Sequence, residues 1–185
     1  RFFDLLSFLE LRTLVITDID SVAVNANGRR VAVSVAAGAF TSNACIKEWY
    51  EPDVSPTQLL AKTPNEKVNG GRRLAFQIPE HDGGPSARSF EDAFILANPE
   101  LFDLGEGDRA TLAYELAAEQ KKSSFALTHA IEQTEWRVPR YIAEGLRWLA
   151  EGNPAPVLSP EAMAAEIVTS VAGVEVDGVE QRADA

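Results

Sequence analysis

The stretch TLVITDID, residues 13–20, sets Leu14, Val15 and Ile16 in front of two carboxylates, Asp18 and Asp20, that are split by one residue. A continuously apolar run of this kind is what a parallel strand covered on both faces presents. In an extended chain successive side chains point to opposite sides, so Ile19 is sent one way and both aspartates the other. In open α/β sheets the crevice beyond the carboxyl ends of the strands is where ligands bind, and Asp18 and Asp20 stand at that end. Two like charges so close cost free energy unless a cation sits between them. A hard divalent ion, Mg²⁺ above all, is the simplest cation for such a pair. The local alternative is that both acids only shape the turn after the strand, since Asp is a common turn residue.

Working outward, Phe2, Leu5, Leu6 and Leu9 have helical spacing and predict a helix over 1–9, leading through Glu10–Arg12 into a strand at 13–17. VNANGRR, 24–30, is turn chemistry, and VAVSVA, 31–36, alternates as a second strand does. TSNACIKEWY, 41–50, opens on a cap signal and continues with Ala44, Ile46, Trp49 and Tyr50 at helical spacing. Residues 51–71 hold three prolines and two glycines and read mostly as loop. RLAFQIP, 73–79, is a third strand. From residue 88 on, SFEDAFILANPELF, TLAYELAAEQKK, SSFALTHAIEQT, VPRYIAEGLRWLAEG and SPEAMAAEIVTSV all read as helices, with Pro139 suited to a first turn and Gly152 to a stop. Strands mixed with helices, then helices alone, give the α/β class. The expected organisation is an α/β core over 1–105, a helical part over 106–172 that completes the site, and an acidic, flexible tail over 173–185.

The bounds are consistent with one domain of 185 residues with ordinary apolar and charged content, but the net charge of −11 is unusual. It argues against a broad basic surface that holds nucleic acid by counterion release. Local strips remain, at Arg29–Arg30, Arg72–Arg73 and Lys121–Lys122. Cys45 is alone, which excludes a disulfide framework and a zinc knuckle and fits a reducing, cytoplasmic setting. No signal peptide and no apolar run long enough to span a membrane are present in the sequence. The chain opens on Arg1 in the middle of a helical pattern, so a piece of a longer protein is expected.

A second acidic position is RSFEDAF, 88–94, where Glu91 and Asp92 open a helix. Ser89-x-x-Asp92 has the form of a capping box; the functional alternative is a further metal ligand from a distant part of the chain. In EQKKSSFALTH, 119–129, Lys121 and Lys122 are either an exposed basic pair or a cation facing a metal centre. His81 and His129 share no ligand spacing with each other or with Cys45. Ser21 and Ser34 lack a G-x-S-x-G context, and the chain has no phosphate-binding glycine motif.

Taken together, TLVITDIDSV, TSNACIKEWY, AFQIPE, RSFEDAF and KKSSFALTHAIE followed by VPRYIAEGLRWL resemble the Toprim nuclease region of the OLD (overcoming lysogenization defect) family of ATP-dependent endonucleases, Gabija-type defence nucleases included, over residues 1–152. The resemblance implies a Toprim-like Rossmannoid parallel sheet with an added C-terminal helical part. It implies cleavage of DNA phosphodiesters with Mg²⁺ or Mn²⁺, and a two-metal site in the intact protein. Asp18 and Asp20 match the family's DxD, Asp92 with Glu91 beside it matches the later acidic position, and Lys122 matches the family lysine in Lys122-Ser-Ser-Phe125-Ala126, with Lys121 as the fallback. The implied catalytic set is therefore Asp18, Asp20, Asp92 and Lys122, and the implied metal ligands are Asp18, Asp20, Glu91 and Asp92. ATP enters only through an ATPase domain N-terminal to the Toprim region, and the implied partners are DNA and further copies of the parent protein. The family's glutamate ahead of the DxD strand has no counterpart here: Asp4 and Glu10 are the only acids upstream of residue 13. Weak or absent activity of this chain by itself is the consequence.

ITDIDSV also resembles the hydrophobic-D-x-D-x-[T/V] motif of haloacid-dehalogenase-type phosphatases, in which Asp18 would be the nucleophile and Asp20 the general acid around one Mg²⁺. The order of motifs speaks against it, because the acidic pair at 91–92 precedes the lysine. A third class is a non-catalytic dimerisation module anchored by Trp136, Tyr141 and Trp148.

Overall fold

In a computed structural model the described residues are 2–119, 125, 127–129 and 135–152. The helices are α1 (Phe2–Phe8), α2 (Ala44–Trp49), α3 (Pro56–Leu60), α4 (Phe90–Ala97), α5 (Arg109–Glu119) and α6 (Arg140–Glu151). The strands are β1 (Thr13–Ile16), β2 (Ser21–Val24), β3 (Arg30–Ala32), β4 (Phe40–Thr41), β5 (Val68–Asn69) and β6 (Arg72–Ala75). The apolar run at 14–16 forms β1, parallel to β6 in the register Thr13↔Arg72 through Ile16↔Ala75. β5 pairs antiparallel on the other side of β6. The class is α/β, with one parallel pair and antiparallel neighbours among the described residues.

The second and third strands differ from expectation in informative ways. VAVSVA yields only β3, ending at Ala32, and β3 belongs to a separate antiparallel sheet in the order β3-β2-β4. The chain leaves it because Val35 turns into a short 3₁₀ helix and packs in the core with Ile19, Ile46, Val54, Leu59, Leu74 and Phe76. RLAFQIP yields β6, which ends at Ala75. The last backbone ladder bond is Thr17 N–H to Ala75 O at 3.0 Å. Beyond it a side chain takes over: Gln77 Oε1 accepts the Ile19 N–H at 2.8 Å. The Ser21–Val24 strand was not expected from sequence, because it follows the two acids without a break.

Local chemistry explains the helix starts. The Asn43 side chain accepts from the N–H groups of Cys45 and Ile46 and so caps α2. Ser55 and Gln58 form a capping box with Pro56 in the first turn, which places α3 inside the stretch expected to be loop. At the hairpin between β2 and β3, Asn25 Oδ1 accepts from the N–H groups of Asn27 and Arg29, and Gly28 takes a left-handed φ of 72°.

α6 lies across β1 and β6, and the close approach is made by a missing side chain. A Cβ on Gly145 would meet Leu14 Cδ1 at 2.9 Å and Ala75 Cβ at 3.3 Å. At the end of α6, Arg12 Nη2 donates to Trp148 O at 2.6 Å while its guanidinium stacks on the Trp148 ring. That bond satisfies one of the carbonyls a helix end leaves open. Gly152 stops the helix with an ordinary φ of −91°, and its lack of a Cβ makes room for Arg12. α5 packs on α4, and Phe94, Ile95 and Ala113 of the two helices share a buried cluster with Leu104 and Phe125. No helix among the described residues is long and apolar enough to cross a membrane. The expected helices over SSFALTHAIEQT and SPEAMAAEIVTSV, and the tail at 173–185, lie largely or wholly outside the described residues.

Candidate functional site

Beyond β1 the chain leaves the sheet at Thr17 and turns sharply. Asp20 holds a left-handed φ of 49°, which is uncommon for a residue with a Cβ. The turn is held on every side. Thr41 Oγ1 donates to Ile19 O at 2.6 Å, the Asp20 N–H donates to Arg88 O at 3.0 Å, and the Ser42 N–H donates to Asp20 O at 3.0 Å. Ile19 is fully buried beneath it. The division expected from sequence therefore holds, Ile19 inward and both acids outward, though a tight turn makes it instead of a pleated strand.

Asp18 and Asp20 line one cleft of about 370 Å³ with Ile16, Thr17, Asn43, Phe90, Tyr141 and Ile142. Asn43 is the hinge of that wall: its Nδ2 contacts Thr17 Oγ1 at 2.8 Å, Asp18 O at 2.9 Å and Asp20 Oδ2 at 3.3 Å. Gln77, fully buried, donates Nε2 to Asp18 Oδ1 at 2.6 Å and lies 3.4 Å from the Tyr141 hydroxyl. Arg88 Nη2 stands 3.6 Å from Asp20 Oδ1. The Arg88 Nε is buried with no hydrogen-bond partner. Burial, then the charge of Asp18, with smaller effects from Asp92 and Glu91, pushes the Tyr141 hydroxyl well above its ordinary value, so it stays protonated.

Asp92 and Glu91 are both buried in the first turn of α4. Asp92 Oδ1 accepts from Ser89 N at 2.7 Å and Ser89 Oγ at 2.6 Å, and Oδ2 accepts from Arg88 N at 2.7 Å. The capping box is thus formed. Burial raises the Asp92 pKa against the lowering effect of these bonds. Asp92 and Glu91 reach the cleft as charge felt by Tyr141, and they do not line it. Lys122 and Lys121 lie outside the described residues, so their position relative to the acids is not part of this geometry. A larger cleft of about 510 Å³ runs between Gly83–Ser86 and the start of α5. Its one acid, Asp108, accepts from the N–H and hydroxyl of Thr111, so no carboxylate pair faces that space.

No family model and no solved structure matches the chain. Among characterised proteins, it is 30% identical over 180 aligned residues to Endonuclease GajA of Bacillus cereus strain HuB5-5, a match covering 80% of this chain and 25% of that protein. This chain is related to an endonuclease. It spans about a quarter of the length of the relative it matches.

Among the described residues no three His, Cys, Asp or Glu side chains converge on a point that could hold a metal ion. Two carboxylates on one wall still suit Mg²⁺, which keeps most of its water and is bound through one or two carboxylates plus substrate phosphate. The pair does not by itself fit two ions. His129 packs against Phe94, Phe102 and Phe125 in an aromatic cluster away from the acids. Burial, with Glu48 nearby, raises the Cys45 thiol, which suits an inert side chain.

Four residues of this site, Gln77, Asn43, Tyr141 and Arg88, were not assigned to it from sequence, Tyr141 being read there only as a packing or interface anchor. Gln77 carried a signal, a lone amide in the apolar run LAFQIP. Asn43 carried a weaker one as a cap residue. Tyr141 and Arg88 carried none, because a helical apolar stripe and a loop arginine have many ordinary uses.

Proposed function

We propose that this chain carries the catalytic region of a divalent-cation-dependent nuclease of Toprim type that hydrolyses DNA phosphodiesters. The observation that supports this best is the placement of Asp18 and Asp20 on one cleft beyond the carboxyl end of a parallel strand, in a relative of an endonuclease. Asp18 and Asp20 hold Mg²⁺ or Mn²⁺. When bound, that cation supplies Lewis acidity to a phosphoryl oxygen and lowers the pKa of water.

The chain's own residues do the rest. Gln77 fixes the rotamer of Asp18, and Asn43 ties both acids to the start of α2. Arg88 balances Asp20 until substrate arrives. Tyr141, kept protonated, offers a hydroxyl to an anionic oxygen and is no base. Glu91 and Asp92 add negative potential from the first turn of α4, favouring a second cation supplied with further ligands by the parent protein. Lys122 offsets charge on the transition state. ATP use, assembly into oligomers and a cytoplasmic setting belong to that parent protein.

The test is Mn²⁺ titration by calorimetry into the chain and into an Asp18→Asn, Asp20→Asn double variant, with plasmid cleavage by the parent protein alongside. One saturable site, weakened at least about tenfold in the variant, is expected, together with loss of cleavage. Equal Mn²⁺ affinity in both proteins, or undiminished cleavage by the variant, would sink the assignment.

A further inference from the structure

Arg88 ties three parts of the fold together through its main chain, yet its guanidinium donates no hydrogen bond among the described residues. Its N–H donates to Asp92 Oδ2 at 2.7 Å, and its carbonyl accepts from the N–H of Asp20 at 3.0 Å, so the backbone is pinned on both sides. The side chain is only 17% exposed, and Nε is buried with no partner. Nη2 stands 3.6 Å from Asp20 Oδ1, close enough for Coulomb attraction and too far for a hydrogen bond. The guanidinium carbon lies 5.8 Å from the centre of the Tyr114 ring, which offers attraction and no strong acceptor. A guanidinium cannot shed its charge as a buried lysine can, so a largely enclosed one with unused donors carries a free-energy cost until an acceptor arrives. The surroundings restrict what that acceptor can be. Asp18 and Asp20 line the cleft, and Glu91 and Asp92 stand in the first turn of α4. An anion that arrives alone meets this negative potential; one that arrives with a divalent cation on Asp18 and Asp20 does not.

We propose, resting on the nuclease reading, that Arg88 couples cation and substrate at this site: it competes with the divalent cation for Asp20, and once the cation is held there it gives its donors to a backbone phosphate of the DNA strand. Both halves follow from one contact. A cation on Asp20 cancels the charge that holds Nη2, and the two positive groups repel each other. A phosphate oxygen drawn to that cation arrives beside Nη2, where the guanidinium presents planar, paired donors suited to it. Each ligand therefore improves the site for the other, and the coupling is reciprocal. Asn43 keeps Asp20 in place during the exchange, because its Nδ2 contacts Oδ2 while Arg88 faces Oδ1. The pinned backbone confines the change to the side chain of Arg88.

The experiment titrates Mn²⁺ by calorimetry, without DNA, into the whole chain, into Arg88→Met and into the Asp18→Asn, Asp20→Asn variant. Arg88→Met is expected to bind Mn²⁺ at least about fivefold more tightly than the unaltered chain. A labelled short DNA duplex is then titrated by fluorescence anisotropy, in chelator and in Mn²⁺. Mn²⁺ is expected to tighten DNA binding by the unaltered chain, and Arg88→Met to lose at least about fivefold of that gain. Mn²⁺ affinity that does not rise in Arg88→Met, or a Mn²⁺-dependent gain in DNA affinity that is absent from the unaltered chain or equal in both proteins, overturns the proposal. Where the unaltered chain binds Mn²⁺ and the double variant binds it weakly, that failure leaves the nuclease reading standing; a chain that binds no Mn²⁺ sinks both. A further measurement needs no variant: the Arg88 Nε–H signal of the unaltered chain is followed by NMR as Mg²⁺ and then duplex are added, and it is expected to move with each. A signal that the duplex leaves in place overturns the proposal even if Arg88→Met folds poorly.

Discussion

Gln77 shows how much one buried amide can decide. Its carbonyl oxygen takes the Ile19 N–H and its nitrogen takes Asp18 Oδ1, so it closes the ladder that β1 and β6 leave open and aims a carboxylate at the same time. Gln77→Leu keeps the volume and removes both bonds. It strands a buried N–H, and a loss of about 1–3 kcal/mol is expected, read by urea unfolding, together with weaker Mn²⁺ binding. Stability equal to that of the parent chain would show that Ile19 finds another acceptor. At this scale the sequence was legible where a residue's chemistry is unusual for its context. Two acids after an apolar run are such a case, and their outward placement could be read in advance. The partners could not, because Tyr141 and Arg88 reach the cleft only through tertiary packing. Asp92 was readable in both senses at once, and the structure forms the capping box that its spacing to Ser89 describes.

At the scale of elements, α6 owes its seat to the absence of a side chain. Glycine inside a helix costs about 1 kcal/mol relative to alanine, yet Gly145 sits mid-helix where a Cβ would meet Leu14 and Ala75. Gly145→Ala therefore sets a propensity gain against overpacking of about 1–3 kcal/mol, and a net fall in melting temperature is expected. A rise would mean that α6 can lift from the sheet at no cost. Helices were the most legible elements, since caps are written locally at Asn43 and Ser89, though the short α3 behind Ser55 was hidden among the prolines of a stretch that reads as loop. Strands were less so. Alternation in VAVSVA cannot say where pairing stops, and β3 ends because Val35 has a better place in the core than in a sheet. A run such as SVAV, entered directly from two acids, carries no boundary signal at all.

At the scale of the whole molecule, the charge of −11 leaves few places for DNA to touch. Two of the strips read from sequence are separated by the fold. Arg72 donates to Phe3 O at 3.0 Å and Arg73 faces Glu144, so that pair serves internal packing. Arg29 and Arg30 stand exposed at the β2–β3 hairpin, in the segment that follows the acids. Under the nuclease reading proposed here, replacing both with Glu is expected to weaken DNA binding and to flatten its salt dependence by roughly two phosphate contacts; an unchanged salt slope would remove the hairpin from the interface. The geometry of the acids carries a consequence for the order of folding. Gln77 joins segments 58, 59 and 64 residues away from it in the chain. Contacts at such separations close long loops and are the slow ones to form. A nascent chain therefore displays Asp18 and Asp20 well before Gln77 and Tyr141 arrive to give them their shape. A chain that ends anywhere between those positions would keep the motif in its letters and lose the cleft.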